Sequence, residues 1–387
     1  MVARLPEYVG PHALGVKMGV IVPGTDIVQA VFDQLARCHA DGLLEDGDII
    51  CITESVVARS QNNYVTTADV AAEIREKLQL EPDGRLGVVF PIASRNRFAL
   101  VLRGFALALP RGEVIVQFSF PCDEVGNQII DPGFAEALGK DLITMEDLEG
   151  RKFPHPITCI DYISFYRDII SETGASPRII LCNDPLRILD FEPDGVVAAD
   201  IHSRVRTRAI IGARHPRCIT LQDLCNSGEA YSEWGLLGSN ISAGEKIKLA
   251  PRDGSKIVGE LQRLVRERLG VEAEVLIYGD GAYRDPTTGI YELADPRPAL
   301  AGTEGLRRYR EGFKYKYLAD YYYHEEGKSA AEIERLLQEK ETPTCIGSQE
   351  ACEGTTPRLM ENIIASLADL VSGSADAGTP LVIVKGF

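Results

Sequence analysis

Apolar residues recur at helical spacing over residues 26–38, where Ile27, Val31, Phe32 and Leu35 share one face and Thr25 or Asp26 supplies the cap. Gly47-Asp48 leads into an unbroken apolar run, Ile49-Ile50-Cys51-Ile52, which reads as a buried strand. Thr66 and Asp69 cap a second helix that turns Val70, Ile74 and Leu78 inward. Strands are expected at 87–90, 98–109 and 113–119, and the short link between the last two predicts an antiparallel pair. Near residue 155 the pattern changes. Residues 160–172 read as a helix, 179–182 and 196–200 as strands and 204–212 as a helix, an alternation that indicates a parallel α/β layer. A strand at 246–249, a long helix at 256–269 and a strand at 274–277 follow. A tyrosine-rich helical stretch spans 307–323, and Ser329 with Glu332 caps another helix carrying Ile333, Leu336 and Leu337. Pro357 opens the last helix, and a strand at 381–384 closes the pattern.

At 387 residues, 45% of them hydrophobic, the chain can bury a sizeable core and has the length of two domains. Its formal charge of −16 argues against a nucleic-acid partner, which would need clustered Lys and Arg. An acidic protein that handles phosphates must concentrate its cations locally or recruit metal ions. No apolar run is long enough to span a bilayer, and the first residues lack a signal-peptide core. The nine cysteines include no Cys-x-x-Cys pair, so reduced thiols in a cytoplasmic protein are expected.

Four polar clusters interrupt the apolar elements. Thr53-Glu54-Ser55, with Arg59, follows the first buried strand; Asp123-Glu124-Val125-Gly126-Asn127 follows the strand ending near Phe120. Asp280, between two glycines, and Asp285 follow the strand at 274–277, and Ser372-Gly373-Ser374-Ala375-Asp376 separates the last helix from the last strand. Asp280-Gly281 is equally a hairpin turn or a seat for a hard cation. Oxygen-only ligands such as Asp123, Glu124, Asp280 and Asp285 point to Mg²⁺ or Mn²⁺, provided that they converge. Asp200, His202, Arg204 and Arg206 stand together after a parallel-type strand, where two guanidinium groups could fork onto a carboxylate or phosphate. No Walker A motif, G-x-G-x-x-G fingerprint or nucleophile elbow is present.

Taken in order, these clusters resemble the coenzyme F420-0:L-glutamate ligase family of γ-glutamyl ligases. The likeness rests on VIVPGTDIVQAVFDQL and LLEDGDIICITESVVARS within residues 20–60, on the strand leading to 123–127, on KLAPRDGS at 248–255 and on the C-terminal SGSADAGTPLVIVKGF. It departs from the family at Arg59, where Lys is common, at Asp280-Gly281, where Asp-Thr is common, and at Ser374 in place of a metal-binding Gln. Residues 128 to about 240 look like an insertion relative to compact members.

The resemblance implies an α+β fold, with a mixed or antiparallel ligase core at 1–127 and 245–387 and an inserted parallel α/β region at 128–244. It implies a cytoplasmic homodimer that uses GTP and Mg²⁺ or Mn²⁺ to activate a carboxylate as an acyl phosphate for attack by L-glutamate. Asp123, Glu124, Asp280 and Asp285 would hold metal. Glu54, Ser55, Arg59, Asn127, Ser372, Gly373, Ser374 and Asp376 would contact nucleotide, with Asp280 and Arg59 catalytic. His202, Arg204 and Arg206 would hold the acidic acceptor. The rivals are the same chemistry on a non-F420 acid, or a metal-dependent phosphohydrolase or nucleotide-binding module without ligase activity.

Overall fold

The computed structural model describes residues 8–156, 158–280, 295–310, 314–339, 358–372 and 378–387. The chain runs β1 (His12–Val16), α1 (Ile27–Ala40), β2 (Ile49–Thr53), α2 (Glu54–Ser60), β3 (Tyr64–Thr66), α3 (Thr67–Leu78), β4 (Arg85–Val89), α4 (Ala99–Leu107) and β5 (Glu113–Phe118). It continues through α5 (Pro132–Leu138), β6 (Leu142–Thr144), α6 (Tyr162–Ser171), β7 (Ser176–Cys182), β8 (Gly195–Ala198), α7 (Arg204–Gly212), β9 (Cys218–Thr220), β10 (Asn240–Ile241) and β11 (Lys246–Lys248). The last part comprises α8 (Gly254–Leu269), β12 (Glu274–Tyr278), β13 (Ala299–Gly302), β14 (Tyr309–Arg310), α9 (Tyr315–His324), α10 (Ala330–Gln338), β15 (Arg358–Leu359), α11 (Met360–Ser372) and β16 (Leu381–Lys385).

Two sheets organise these elements into an α+β fold. The first has the order β1-β16-β2-β12-β13, antiparallel except for the parallel pair β2/β12. Helices α1 and α8 cover one face through Leu35, Val31, Leu261 and Val265, and α11 covers the other through Ile364, Ala365 and Ala368. Covering both faces explains why Ile49-Ile50-Cys51-Ile52 is an unbroken apolar run rather than an alternating one. The second sheet has the order β6-β7-β5-β4-β8-β9, with only β6 antiparallel. Helices α3, α4 and α6 pack on one face. α7 and a 3₁₀ turn over Pro185–Phe191 pack on the other, so the sheet is doubly wound. A small sheet, β10-β11-β3, ties residues 64–66 to 246–248.

Several expected caps are present: Asp26 accepts from Gln29 N–H at 3.0 Å, and Thr66/Asp69 and Ser329/Glu332 are full capping boxes. Three of the expected elements need correction. Residues 98–109 are not a strand, since α4 occupies 99–107. Its run Ala-Leu-Val-Leu lacks a polar stripe because α4 is covered on nearly every side, and periodicity cannot separate a buried strand from a buried helix. The predicted antiparallel pair is therefore a parallel β4–α4–β5 unit, and the parallel layer begins before residue 128. The tyrosine-rich helix also starts later than expected, at Tyr315, and the last helix begins at Met360 rather than at Pro357, because Arg358–Leu359 pairs as β15 with Tyr309–Arg310.

Gly104 sets how closely α4 approaches α3. A Cβ there would lie 2.8 Å from Val70 Cγ1 and 3.1 Å from the Thr67 carbonyl oxygen. Alanine would gain about 1 kcal/mol of helix propensity, yet overpacking of about 1–3 kcal/mol opposes it. Gly104→Ala should lower the urea unfolding midpoint; a midpoint equal to or above that of the parent would show that the helices separate freely.

Candidate active site

Three of the four polar clusters meet at one end of the first sheet. Thr53 and Tyr278 are register partners at the C-terminal ends of the parallel strands β2 and β12, so Glu54 and Asp280 emerge side by side. Thr53 N–H also donates to the Pro380 carbonyl at 3.0 Å, which brings the turn after Ser372 to the same end. Ends of parallel strands are where α/β sheets leave backbone unpaired and side chains free to converge.

Arg97 organises this end although it belongs to the other sheet. It sits in the loop after β4 and reaches across, Nη2 to Asp280 Oδ2 at 2.5 Å and Nη1 to Asp295 Oδ1 at 2.6 Å. Asp295 is almost wholly buried, and its second oxygen accepts the Asp280 N–H at 2.7 Å. Gly279 permits that approach: a Cβ would stand 2.1 Å from Asp295 Oδ2, closer than any side chain allows. Behind them Lys248 Nζ donates to both oxygens of Glu54, at 2.8 and 2.7 Å, and both residues are buried.

Four carboxylates, Glu54, Asp280, Asp295 and Asp369, act on this end against two cations, Arg97 and Lys248. Burial pushes the Asp280 carboxyl up to about 8; Asp295 adds to the rise, Arg97 opposes it, and Asp369 and Glu54 reinforce it. Burial raises Glu54 as well, against the pull of Lys248. Arg97 stays charged: burial works against its charge, but Asp295, Asp280 and Glu54 outweigh it. Among the described residues this end is short of positive charge.

The fourth cluster lies elsewhere, at the C-terminal ends of β4, β5 and β8. Asp123 Oδ1 accepts from Val125 and Asn127 N–H, and Oδ2 from Ala93 N–H and Asn127 Nδ2. Those four donors use the lone pairs a metal would need. Glu124 is spent on the N–H groups of Ile201, His202 and Ser203 at the start of α7. The expected union of Asp123 and Glu124 with Asp280 does not form, and Asn127 serves the Asp123 turn instead of facing Asp280. Among the described residues no group of three or more His, Cys, Asp or Glu is arranged to hold a metal ion. Asp285, Gly373, Ser374 and Asp376 lie outside the described residues.

The remaining candidates are placed as follows. Ser372 is buried and its hydroxyl donates to the Thr379 carbonyl, closing its own turn. Ser55 and Arg59 are half-buried on α2, and Arg59 makes no ion pair among the described residues. The acid-binding arginine pair is broken. Arg204 is committed to Gln222 Oε1, at 3.2 and 3.0 Å, and to the Ile201 carbonyl, whereas Arg206 is exposed; His202 is exposed too. Arg97, Asp295 and Lys248 were not singled out from the sequence. None follows a periodic signal, and only Lys248 falls inside a matched motif.

A mixed sheet whose parallel strand ends carry a buried, acid-rich ion-pair cluster makes this an α+β protein with a candidate site at that end. The model of the family described as F420-0:Gamma-glutamyl ligase matches residues 15–386. The chain belongs to that family and is an amide-forming ligase of the γ-glutamyl type. A search of the curated proteins finds no match. No described helix is long and apolar enough to cross a membrane.

The raised Asp280 carboxyl makes a pH prediction. Between about 4 and 8 the folded chain holds this proton while the unfolded chain has released it, so stability falls as pH rises through that window and levels off above it. Asp200, raised to about 6, adds to the fall only at lower pH. Asp280→Asn should therefore flatten the stability slope between pH 6 and 8 in denaturant titrations, and an unchanged slope would contradict the assignment.

Proposed function

We propose that this ligase uses GTP and a divalent cation to join the amine of L-glutamate to a carboxylate of coenzyme F420-0. The observation that carries the reading is the acid excess around Asp280, inside the matched span and at the open ends of β2 and β12. A carboxylate and an amine do not condense unaided at neutral pH, because the carboxylate oxygen is a poor leaving group. The acceptor oxygen attacks the γ-phosphorus, the bond to the bridging oxygen breaks and GDP departs. Glutamate nitrogen, having lost its proton, then attacks the acyl carbon, the carbon–oxygen bond breaks and inorganic phosphate leaves.

Phosphoryl transfer is mostly positioning and neutralisation of charge. Among the described residues acids outnumber cations at this end, a surplus that Mg²⁺ or Mn²⁺ would balance as Asp280 gave up its proton, and such an ion would offset phosphate charge during transfer. Asp280 would hold it, with Arg97 fixing the direction of its carboxylate and Asp295 holding its backbone N–H. Asp123 and Glu124, with their oxygens already taken, are left out of this role. Family resemblance extends the reading to a cytoplasmic homodimer.

GDP release should require both L-glutamate and the acceptor. Asp280→Asn should weaken Mn²⁺ binding, read by electron paramagnetic resonance, and lower kcat by about 100-fold or more, the scale of losing a group that stabilises transferring charge. GTP turnover independent of glutamate would instead indicate a phosphohydrolase. Normal turnover with another acid would redirect the acceptor.

A further inference from the structure

The second sheet has its own crevice. From β4 the chain moves to β5 and then β7 on one side, and from β8 it moves to β9 on the other. A cavity of about 330 Å³ opens at this reversal. Phe90, which follows β4, lines it, and α7 forms a wall through Ser203, Arg206, Thr207 and Ile210. Two acids hold the near end of that wall. Ser203, the residue before α7, makes no side-chain cap. Glu124, from the loop after β5, supplies the cap instead by accepting the N–H groups of Ile201, His202 and Ser203. At the end of the first turn the Thr207 hydroxyl donates to Asp200 Oδ2 at 2.7 Å.

Asp200 is poorly supplied with donors beneath this turn. It is about 1% exposed, and Oδ1 is shut off from solvent with no hydrogen-bond partner among the described residues. A charge on an unmet buried oxygen costs far more than a neutral acid does. The neighbours give little relief. Glu124 brings a like charge, and Asp123 beside it is filled by N–H groups. On α7, Arg204 attracts Asp200 but is committed to Gln222 and the Ile201 carbonyl. Arg206 and His202 are exposed, and Arg208 pairs with Asp223 at 3.4 Å. Arg187 and Asp190 of the 3₁₀ turn pair with each other at 3.0 Å, and β9 contributes the buried Cys218 thiol. Burial pushes the Asp200 carboxyl up to about 6, against the Thr207 hydrogen bond, with Glu124 reinforcing the rise and Arg204 opposing it.

We propose that α7 is a pH-gated wall of this crevice, its first turn seated while Asp200 carries a proton and lifted when Asp200 ionises. Ionisation sets a second negative charge beside Glu124 and leaves Oδ1 in need of donors that water can supply once the turn lifts. The Thr207 bond and part of the Glu124 cap are given up in exchange. The seated state keeps the proton up to about pH 6, whereas the lifted state releases it near the ordinary carboxylate value. Seating therefore weakens as pH rises from about 4 to 6 and levels off above that window. The device lies apart from the Asp280 cluster and does not depend on the function proposed there.

Amide hydrogen exchange of the full chain, resolved to peptides and corrected for the intrinsic rate at each pH, tests it. Protection over residues 204–212 should fall about tenfold between pH 5 and 7. Low urea should change it little, the mark of a local opening that exposes small area. Asp200→Asn, which cannot ionise, should hold protection level across that range. Glu124→Gln keeps an acceptor at the helix start but drops the like charge, so the fall should move to lower pH. Thr207→Val removes the bond that favours the charged form, so the fall should move to higher pH; this shift keeps the test open should Asp200→Asn fold poorly. In Asp280→Asn the fall should persist, which separates it from the global pH dependence described above. Protection independent of pH in the parent chain, an equal fall in Asp200→Asn, or a midpoint unmoved in both Glu124→Gln and Thr207→Val would overturn the proposal. A steep dependence on urea, or loss of the fall in Asp280→Asn, would mark global unfolding and overturn it too.

Discussion

One arginine links the two sheets directly. Arg97 leaves the loop after β4 in the parallel sheet and ends between Asp280 and Asp295 of the mixed sheet. The group tolerates little displacement: removing Asp295 would leave the Arg97 guanidinium short of its buried partner, at a cost of about 3–5 kcal/mol. The start of the same loop provides the Ala93 N–H that fixes Asp123, and Phe90 lines the second crevice. A single nine-residue connection, 90–98, therefore shapes the strand ends of both sheets.

Much of the fold could be read in advance, because caps and periodicity act locally. The Thr66/Asp69 box, the apolar face of α1 and the alternation after residue 155 all declared themselves. The reading failed where burial was complete. α4 has polar positions too sparse to reveal a period, so an all-apolar helix passed for a strand and a parallel unit for a hairpin. Pairing partners are a long-range property, and β4 takes its neighbours from residues on both sides of the supposed insertion point.

The candidate site was half legible for a related reason. Strand ends with acids can be located from the sequence, and Glu54, Asp280 and Ser372 do come together. Which acids remain available cannot be located, because it depends on the donors that surround them. Asp123 carries the same acidic signature as Asp280, yet four N–H groups consume it, while Asp280 stands among other carboxylates with Arg97 and Lys248 to offset them. The family likeness was carried by the order of short motifs, and order survives even when individual side chains turn out to serve turns and caps.

β16, spanning residues 381–385, is an interior strand that pairs β1 on one side and β2 on the other. During synthesis, β2 waits on the ribosome with an open edge until more than three hundred further residues have been added. The parallel sheet, whose strands lie between residues 85 and 220, is complete long before that and can fold as a platform. The mixed sheet thus closes last, around a strand of very high sequence separation, and the candidate site at its end is completed only when the last of the described strands slots into place.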